Sequence, residues 1–304
     1  MDWIVQKLRR IYQAIYYFGQ TTSPPSQQWR SRKRSEDVHI RHMPQTKARQ
    51  PEVIDGLDPF HFVARETVSS ILNSLAERPL ELLQIQRVRE IVAKERAQHL
   101  LSQDDVRNVD NMSAAIAPFT VTRNLDAARS APGLDRPSIM TSAATAIERV
   151  RRDAPKLDVL SIGPRSEIEI FALLAAGFSQ NKIRAIDLFS YSPLVQLGDM
   201  HAIPFPDNSF DIVFVGWVMT YSRDHQLVAR EIARVARDKA IIVLAGDYCD
   251  ETIDHPDFAG KRQYMSSCDQ LLSLFPENIG RVYFRHDASP PDVWMVMTVF
   301  ELKK

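Results

Sequence analysis

LDVLSIGPRSEIEIFALLAAGFSQNKIRAIDLF (157–189) holds two short apolar runs on either side of a helical pattern that stops at Gly177, and that order decides the fold. LDVLSIG (157–163) and KIRAIDLF (182–189) have the length and β-branched content of buried strands, whereas SEIEIFALLAAG (166–177) repeats its apolar residues at helical spacing. The texture continues downstream. FDIVFVGWV (210–218), AIIVLAG (240–246), RVYFRHD (281–287) and DVWMVMTVFEL (292–302) read as strands; HQLVAREIARVARD (225–238) and RQYMSSCDQLLSLF (262–275) read as helices. Strands that are apolar throughout must be covered on both faces. The pattern therefore predicts an α/β fold over 154–304, a doubly wound and mostly parallel sheet that ends in an antiparallel pair.

Upstream the composition changes. Ser138–Arg152 reads as one helix running into the α/β domain, after a loop-like stretch over 117–136 with Pro118, Pro132 and Gly133. Between Asp58 and Ile116 one apolar face is marked by Phe62, Val63, Val68, Ile71, Leu72 and Leu75. A second is marked by Leu82, Leu83, Ile85, Val88, Ile91 and Val92, with Pro79 at a first-turn position and Ser102 as the cap of a third helix. The segment 58–153 is thus expected to be helical, serving as a lid over a ligand cleft of the α/β domain or as an oligomerisation bundle. Residues 21–57 are rich in Pro, Ser, Gln and Arg and predict a basic linker. Residues 1–20 place Trp3, Ile4, Leu8, Ile11, Tyr12 and Ile15 on one helical stripe, an amphipathic helix suited to a membrane interface, a partner's groove or the protein's own surface.

Charge narrows the partners. The chain has 38 basic and 38 acidic residues among 304, so no global field points to nucleic acid. Ten Lys and Arg against three acids fall within 1–50, which makes that segment the place to expect an anionic surface or a protein contact. Two cysteines, Cys249 and Cys268, have no metal or disulfide spacing, and no apolar run nears the ~20 residues of a membrane span. A cytoplasmic protein, membrane-peripheral through 1–50 if that helix binds lipid, is the expectation.

A doubly wound sheet binds its ligand at the carboxyl ends of its strands. Gly163 permits a tight turn there and a close approach of backbone to ligand. Asp187, 24 residues on, can accept hydrogen bonds from both hydroxyls of a ribose. The same pair would suit a nicotinamide dehydrogenase, and an aspartate closing a strand also serves as a turn former.

GDMHAIPFPDNSFDIVFVGWVMTYS (198–222) is more specific. Its Gly-Asp-x-x-x-x-Pro-Phe-x-Asp-x-Ser-Phe-Asp string, with REIARVARD (230–238) behind it, resembles the class I S-adenosylmethionine-dependent methyltransferases, in the branch that methylates lipids, sugars and quinones. The resemblance covers about 157–246 and not 1–136. It implies a Rossmann-like fold, S-adenosylmethionine as cofactor and a small-molecule acceptor, a sugar hydroxyl of polysaccharide synthesis being the expected class. It further implies that Asp199 bonds the adenine amino group, that Met200 lies beside the ring, that Asp211 begins the fourth strand, and that Gly216 and Trp217 end it next to the sulfonium. Two features depart from the family. Ser161, Arg165 and Glu167 stand where it has an acid and two more glycines, so Arg165 either narrows the cleft or reaches the cofactor's carboxylate, and Glu167 is favoured by the helix dipole. Asp199 lies only 12 positions after Asp187, too few for the usual helix and full third strand, which predicts an extended loop or a stub of strand there.

Methyl transfer needs in-line approach at near-attack distance, no metal, and a base only when the acceptor is a hydroxyl. The candidate bases are His201, His225 and His255, with His201 first because its loop is tied to the cofactor residues; a hydrogen-bonded loop histidine is the bland alternative for each. Tyr221 and Asp247, each just past a strand end, are candidates to line the acceptor pocket. The rival reading is a methyltransferase-like binding or scaffold module without turnover, motivated by the missing glycines.

Overall fold

The computed structural model describes residues 65–101, 107–108, 136–164, 166–248, 266–289 and 295–304. The amphipathic helix and linker expected over 1–57, the Ser102 cap, Arg165 and His255 lie outside these residues. The chain divides into two units, 1–79 and 80–304. In the first, helix α1 (Arg65–Glu77) ends where Arg78 folds back, its guanidinium donating to Ser74 Oγ at 2.9 Å.

The second unit is built on a seven-stranded sheet of β1 (Val159–Ile162), β2 (Ile183–Asp187), β3 (Gln196–Leu197), β4 (Phe210–Gly216), β5 (Ala236–Asp247), β6 (Ile279–His286) and β7 (Met295–Leu302). Their order across the sheet is β3-β2-β1-β4-β5-β7-β6. The first five are mutually parallel, and β7 runs antiparallel to both its neighbours. This is the doubly wound, mostly parallel sheet with an antiparallel closing pair that the strand pattern predicts, and the third strand is a two-residue stub. The order reverses at β1, whose neighbours β2 and β4 lead away on opposite sides, so β1 and β4 carry the switch point.

Strand alternation sorts the core into two layers. Leu160, Ile162, Val213, Val215, Ile242, Leu244, Val296 and Phe300 face helices α6 (His225–Val235) and α7 (Cys268–Ser273). Val159, Ile212, Phe214, Ile241, Val243, Ala245 and Val299 face α3 (Arg136–Thr145), α4 (Glu148–Asp153) and α5 (Glu167–Ala175). At about 1.5–3 kcal/mol for each fully buried large aliphatic, these two layers supply most of the driving force for folding. A third layer forms where α2 (Gln86–Leu101) lays Ala93 against Ile168 and Phe171 of α5. The small Ala93 lets the two helices approach closely, while Ala97 packs on Phe189 and Tyr191.

Several boundaries differ from the sequence expectation. The helix read over 138–152 is two helices, because Ile147 is extended (φ −77, ψ 115) and Thr145 Oγ1 bonds back to Thr141 O at 2.8 Å, a contact that competes with the regular ladder. Helix 225–238 stops at Val235, since Ala236 is fully buried in a pairing with Phe210 and Lys239 has a positive φ of 64°. The second apolar face is split between a 3-10 turn (Pro79–Gln84) and α2, and leaves Ile85 48% exposed. No described helix is long and apolar enough to cross a membrane.

The two motif carboxylates nearest the amino ends of the strands prove structural. Asp211 Oδ2 accepts from Asp158 N at 2.9 Å and from Arg237 Nη1 at 2.6 Å, while Asp158 also bonds Lys182 Nζ at 3.0 Å. This network ties β1, β2, β4 and β5 together at the end of the sheet opposite the ligand cleft.

Candidate functional site

Gly163 follows β1 with φ +72, and a Cβ there would overlap Val218 Cγ1, so no other residue fits without a shift. Its N–H donates to Ile186 O at 2.8 Å, and Gly198 N–H donates to Asp187 O at 2.9 Å. These two bonds bring the ends of β1, β2 and β3 side by side. Gly163, Asp187 and Asp199 thereby stand on three consecutive strand ends at the switch point. The Asp187 carboxylate also accepts from Phe189 N at 3.2 Å and so stays at the turn.

Asp199 is heavily engaged. Its Oδ1 accepts from His201 N at 2.8 Å and pairs with His201 Nδ1 at 2.6 Å, and its Oδ2 meets Arg223 Nη1 at 3.2 Å. Burial works to raise the carboxyl, but the His201 bonds and the Arg223 charge outweigh it and hold Asp199 below the usual carboxylate range. The His201 ring is 5% exposed, and its Nε2 lies 2.9 Å from Ser222 Oγ. Asp199 accepting at Nδ1 leaves Nε2 to accept from the serine hydroxyl. Both ring nitrogens are occupied, so His201 is a brace between two loops and presents no free nitrogen to an acceptor. Met200 is 9% exposed and packed in the core with Ile186 and Ile203.

His225 is also unsuited to the role of base. Its Nε2–H donates to Met219 O at 2.7 Å, and burial, helped by His201, pushes the ring below its ordinary value against the pull of the carbonyl and Asp224. A histidine kept neutral in the fold binds a proton more weakly than the same histidine in the unfolded chain, which titrates near ~6.5. Its stabilising share is full above that pH and is lost as pH falls. His225→Gln is therefore expected to flatten the decline in stability below about pH 6.5, measured as denaturant midpoint against pH; an unchanged slope overturns this.

At the ends of β4 and β5 a second cluster forms. Trp217 has φ +58 and donates its indole Nε1–H to Asp247 Oδ1 at 3.0 Å. Arg136, the first residue of α3, stacks 4.7 Å from the Trp217 ring centroid and donates to Asp247 Oδ1 at 3.2 Å. Met140, one turn on, would meet a Cβ on Gly216 at 3.0 Å, so α3 closes over the end of β4. Tyr221 ends a 3-10 turn (Met219–Tyr221) just beyond, with its N–H on Val218 O at 3.0 Å. Gly216, Trp217, Tyr221 and Asp247 thus line one end of the sheet, next to Gly163 through Val218.

Sequence reasoning missed four contributors: Arg136, Arg223, Ser222 and the pairing of Arg96 with Glu167. None carries a local signal, because each acts through a partner distant in sequence. It also gave REIARV no task. Glu231 Oε2 accepts from Ile203 N at 2.7 Å, and Arg234 donates to Glu231, to Phe205 O at 2.9 Å, to Ile203 O at 2.8 Å and to Asp207. The motif is a staple for the loop that carries Asp199.

Residues 172–244 match the family profile described as "Methyltransferase domain". Among solved structures, an S-adenosylmethionine-dependent methyltransferase from Mesorhizobium loti is similar at 12% identity and a TM-score of 0.43, over 56% of this chain and all of that one. A proposed sarcosine dimethylglycine methyltransferase from Galdieria sulphuraria is similar at 15% identity and a TM-score of 0.42, over 55% of this chain and 85% of that one. No curated protein matches the chain.

Proposed function

We propose that this chain, whose residues 172–244 match a methyltransferase domain profile, uses S-adenosylmethionine to methylate a small-molecule acceptor such as a sugar hydroxyl. The single observation that carries the reading is the placement of Gly163, Asp187 and Asp199 on three adjacent strand ends at the switch point, strapped by the Gly163–Ile186 and Asp187–Gly198 bonds. The residues fit the cofactor: a positive-φ glycine for the close backbone approach, a carboxylate at the end of β2 for a diol, and a carboxylate at the end of β3 for an amino group.

Bound S-adenosylmethionine supplies an electrophilic methyl carbon on a positively charged sulfur. An acceptor hydroxyl held in line with that carbon would be methylated, and this chain's own part would be to position the two and take up the hydroxyl proton. Asp187 and Asp199 fix the nucleoside. With His201 and His225 committed to hydrogen bonds, Asp247 is the base the geometry favours: its side chain is 58% exposed and is oriented by Trp217 and Arg136. Tyr221 lines the same mouth, and α3 places Met140 over Gly216 at its floor.

Calorimetric titration with S-adenosylmethionine and S-adenosylhomocysteine tests the reading, and no binding at millimolar concentration overturns it. Asp187→Ala and Asp199→Ala are each expected to weaken that affinity by about 1–3 kcal/mol, roughly 5- to 150-fold. Wild-type affinity in both refutes the site.

A further inference from the structure

Glu167 stands where a glycine is usual in the cofactor loop, and its side chain is wholly buried at the first turn of α5. A carboxylate removed from water is strongly unfavourable unless it is paired and hydrogen-bonded. Glu167 is both. Arg96 Nε reaches Oε2 at 2.5 Å and Nη2 reaches Oε1 at 2.9 Å, a two-pronged pairing, and Ser192 Oγ donates to Oε1 at 2.6 Å. The positive end of the α5 dipole favours the anion further.

Three segments meet on this one side chain. Glu167 closes the turn that begins at Gly163; Ser192 belongs to the stretch that follows Asp187; Arg96 comes from α2, outside the residues that match the methyltransferase profile. The guanidinium is aimed by packing, since Ala93 lies on Ile168 and Phe171 while Ala97 lies on Phe189 and Tyr191. Among the described residues, the titratable groups facing the carboxylate are Arg96 and Tyr191, and Glu169 on its own helix also faces Tyr191. The Tyr191 hydroxyl is buried, and burial together with the Glu167 charge pushes it up to about 12 against the pull of the Glu167 backbone and Arg96, so it stays neutral and adds no charge.

We infer that Arg96 is a positioning residue for the cofactor: by pairing with Glu167 it holds the Gly163–Glu167 turn and the stretch after Asp187 in their binding arrangement, so affinity depends on a helix 71 positions upstream in the sequence. The inference rests on the reading of that turn as the cofactor loop. Without Arg96 the buried anion keeps one hydroxyl partner, and the turn opens to let water reach it.

The test compares full-length wild type, Arg96→Met, Glu167→Gln and the double variant, using S-adenosylhomocysteine titration and amide hydrogen exchange at 163–168. Arg96→Met should lose at least tenfold in affinity and exchange its loop amides faster. The double variant, with a neutral side chain that Ser192 still satisfies, should restore affinity and protection. Arg96→Met with wild-type affinity and protection overturns the inference, as does a double variant that folds yet regains neither. A double variant that does not fold also overturns it. If wild type binds no cofactor, the methyltransferase reading fails while the loop exchange still decides the role of Arg96.

Discussion

Gly163→Ala is expected to lower the melting temperature by roughly 6–12 °C and to weaken cofactor binding by tenfold or more. The added Cβ occupies the space of Val218 Cγ1, and the residue must hold φ +72. Left-handed backbone costs an L residue about 1–2 kcal/mol and overpacking about 1–3 kcal/mol, so a total near ~3 kcal/mol is reasonable. In a unit of this size each kcal/mol moves the midpoint by about 2–4 °C. Binding suffers separately, because relieving the clash moves the Gly163 N–H off Ile186 O, the bond that joins the ends of β1 and β2. Val218→Ala in the same chain removes the overlap but not the backbone strain. It should recover about half of the lost stability, and calorimetric melts of the four proteins would measure that coupling. A Gly163→Ala protein that melts with wild type would mean the turn is not built as described.

Arg234→Ala carries the second large effect, about 2–3 kcal/mol of stability after allowance for a side chain that is 31% exposed. The change strands Glu231 and leaves the Phe205 and Ile203 carbonyls without the donor that spans them. Arg234→Lys should recover less than half, since an ammonium cannot serve a carboxylate and two carbonyls from one plane. The loop from Asp199 to Asp207 should then exchange its amides faster, and cofactor affinity should fall with it although Arg234 lies away from the cleft. The bond to Arg234 lowers Glu231 below its ordinary range against burial, with Ile203 N–H assisting. That stabilisation is complete above the unfolded value near ~4.3 and disappears as pH falls through the folded one, so Arg234→Ala should also flatten the acid limb near pH 4. Denaturant midpoints between pH 3 and 7 would check both, and an unchanged midpoint at pH 7 would remove the staple from the account.

How much of this was legible in advance differs by residue. Gly163, Asp187, the β3 stub and the string from Gly198 to Asp211 could be read because each expresses a local rule: a turn that needs positive φ, a strand that ends in a carboxylate, a connection too short for a full strand. The site's chemistry was less legible. His201 carries the expected residue type at the expected place, yet Asp199 and Ser222 take both its nitrogens, and the proposal of Asp247 as base rests on Trp217 and Arg136, which orient it. The departures from the family pattern also changed meaning. Glu167 looked like a defect in the cofactor loop and is the buried half of an ion pair.

The sequence by itself determined the alternation of elements, the two-faced apolar strands and the carboxyl-end placement of Gly163, Asp187 and Asp199, since periodicity and backbone sterics act over a few residues and leave their mark in composition. Only the tertiary structure decided which charged groups meet: Arg96 with Glu167 across 71 positions, Arg136 with Asp247 across 111, and the Arg234 staple. Such pairs depend on how helices and strands pack in three dimensions, and no short-range pattern records the partner that burial will demand.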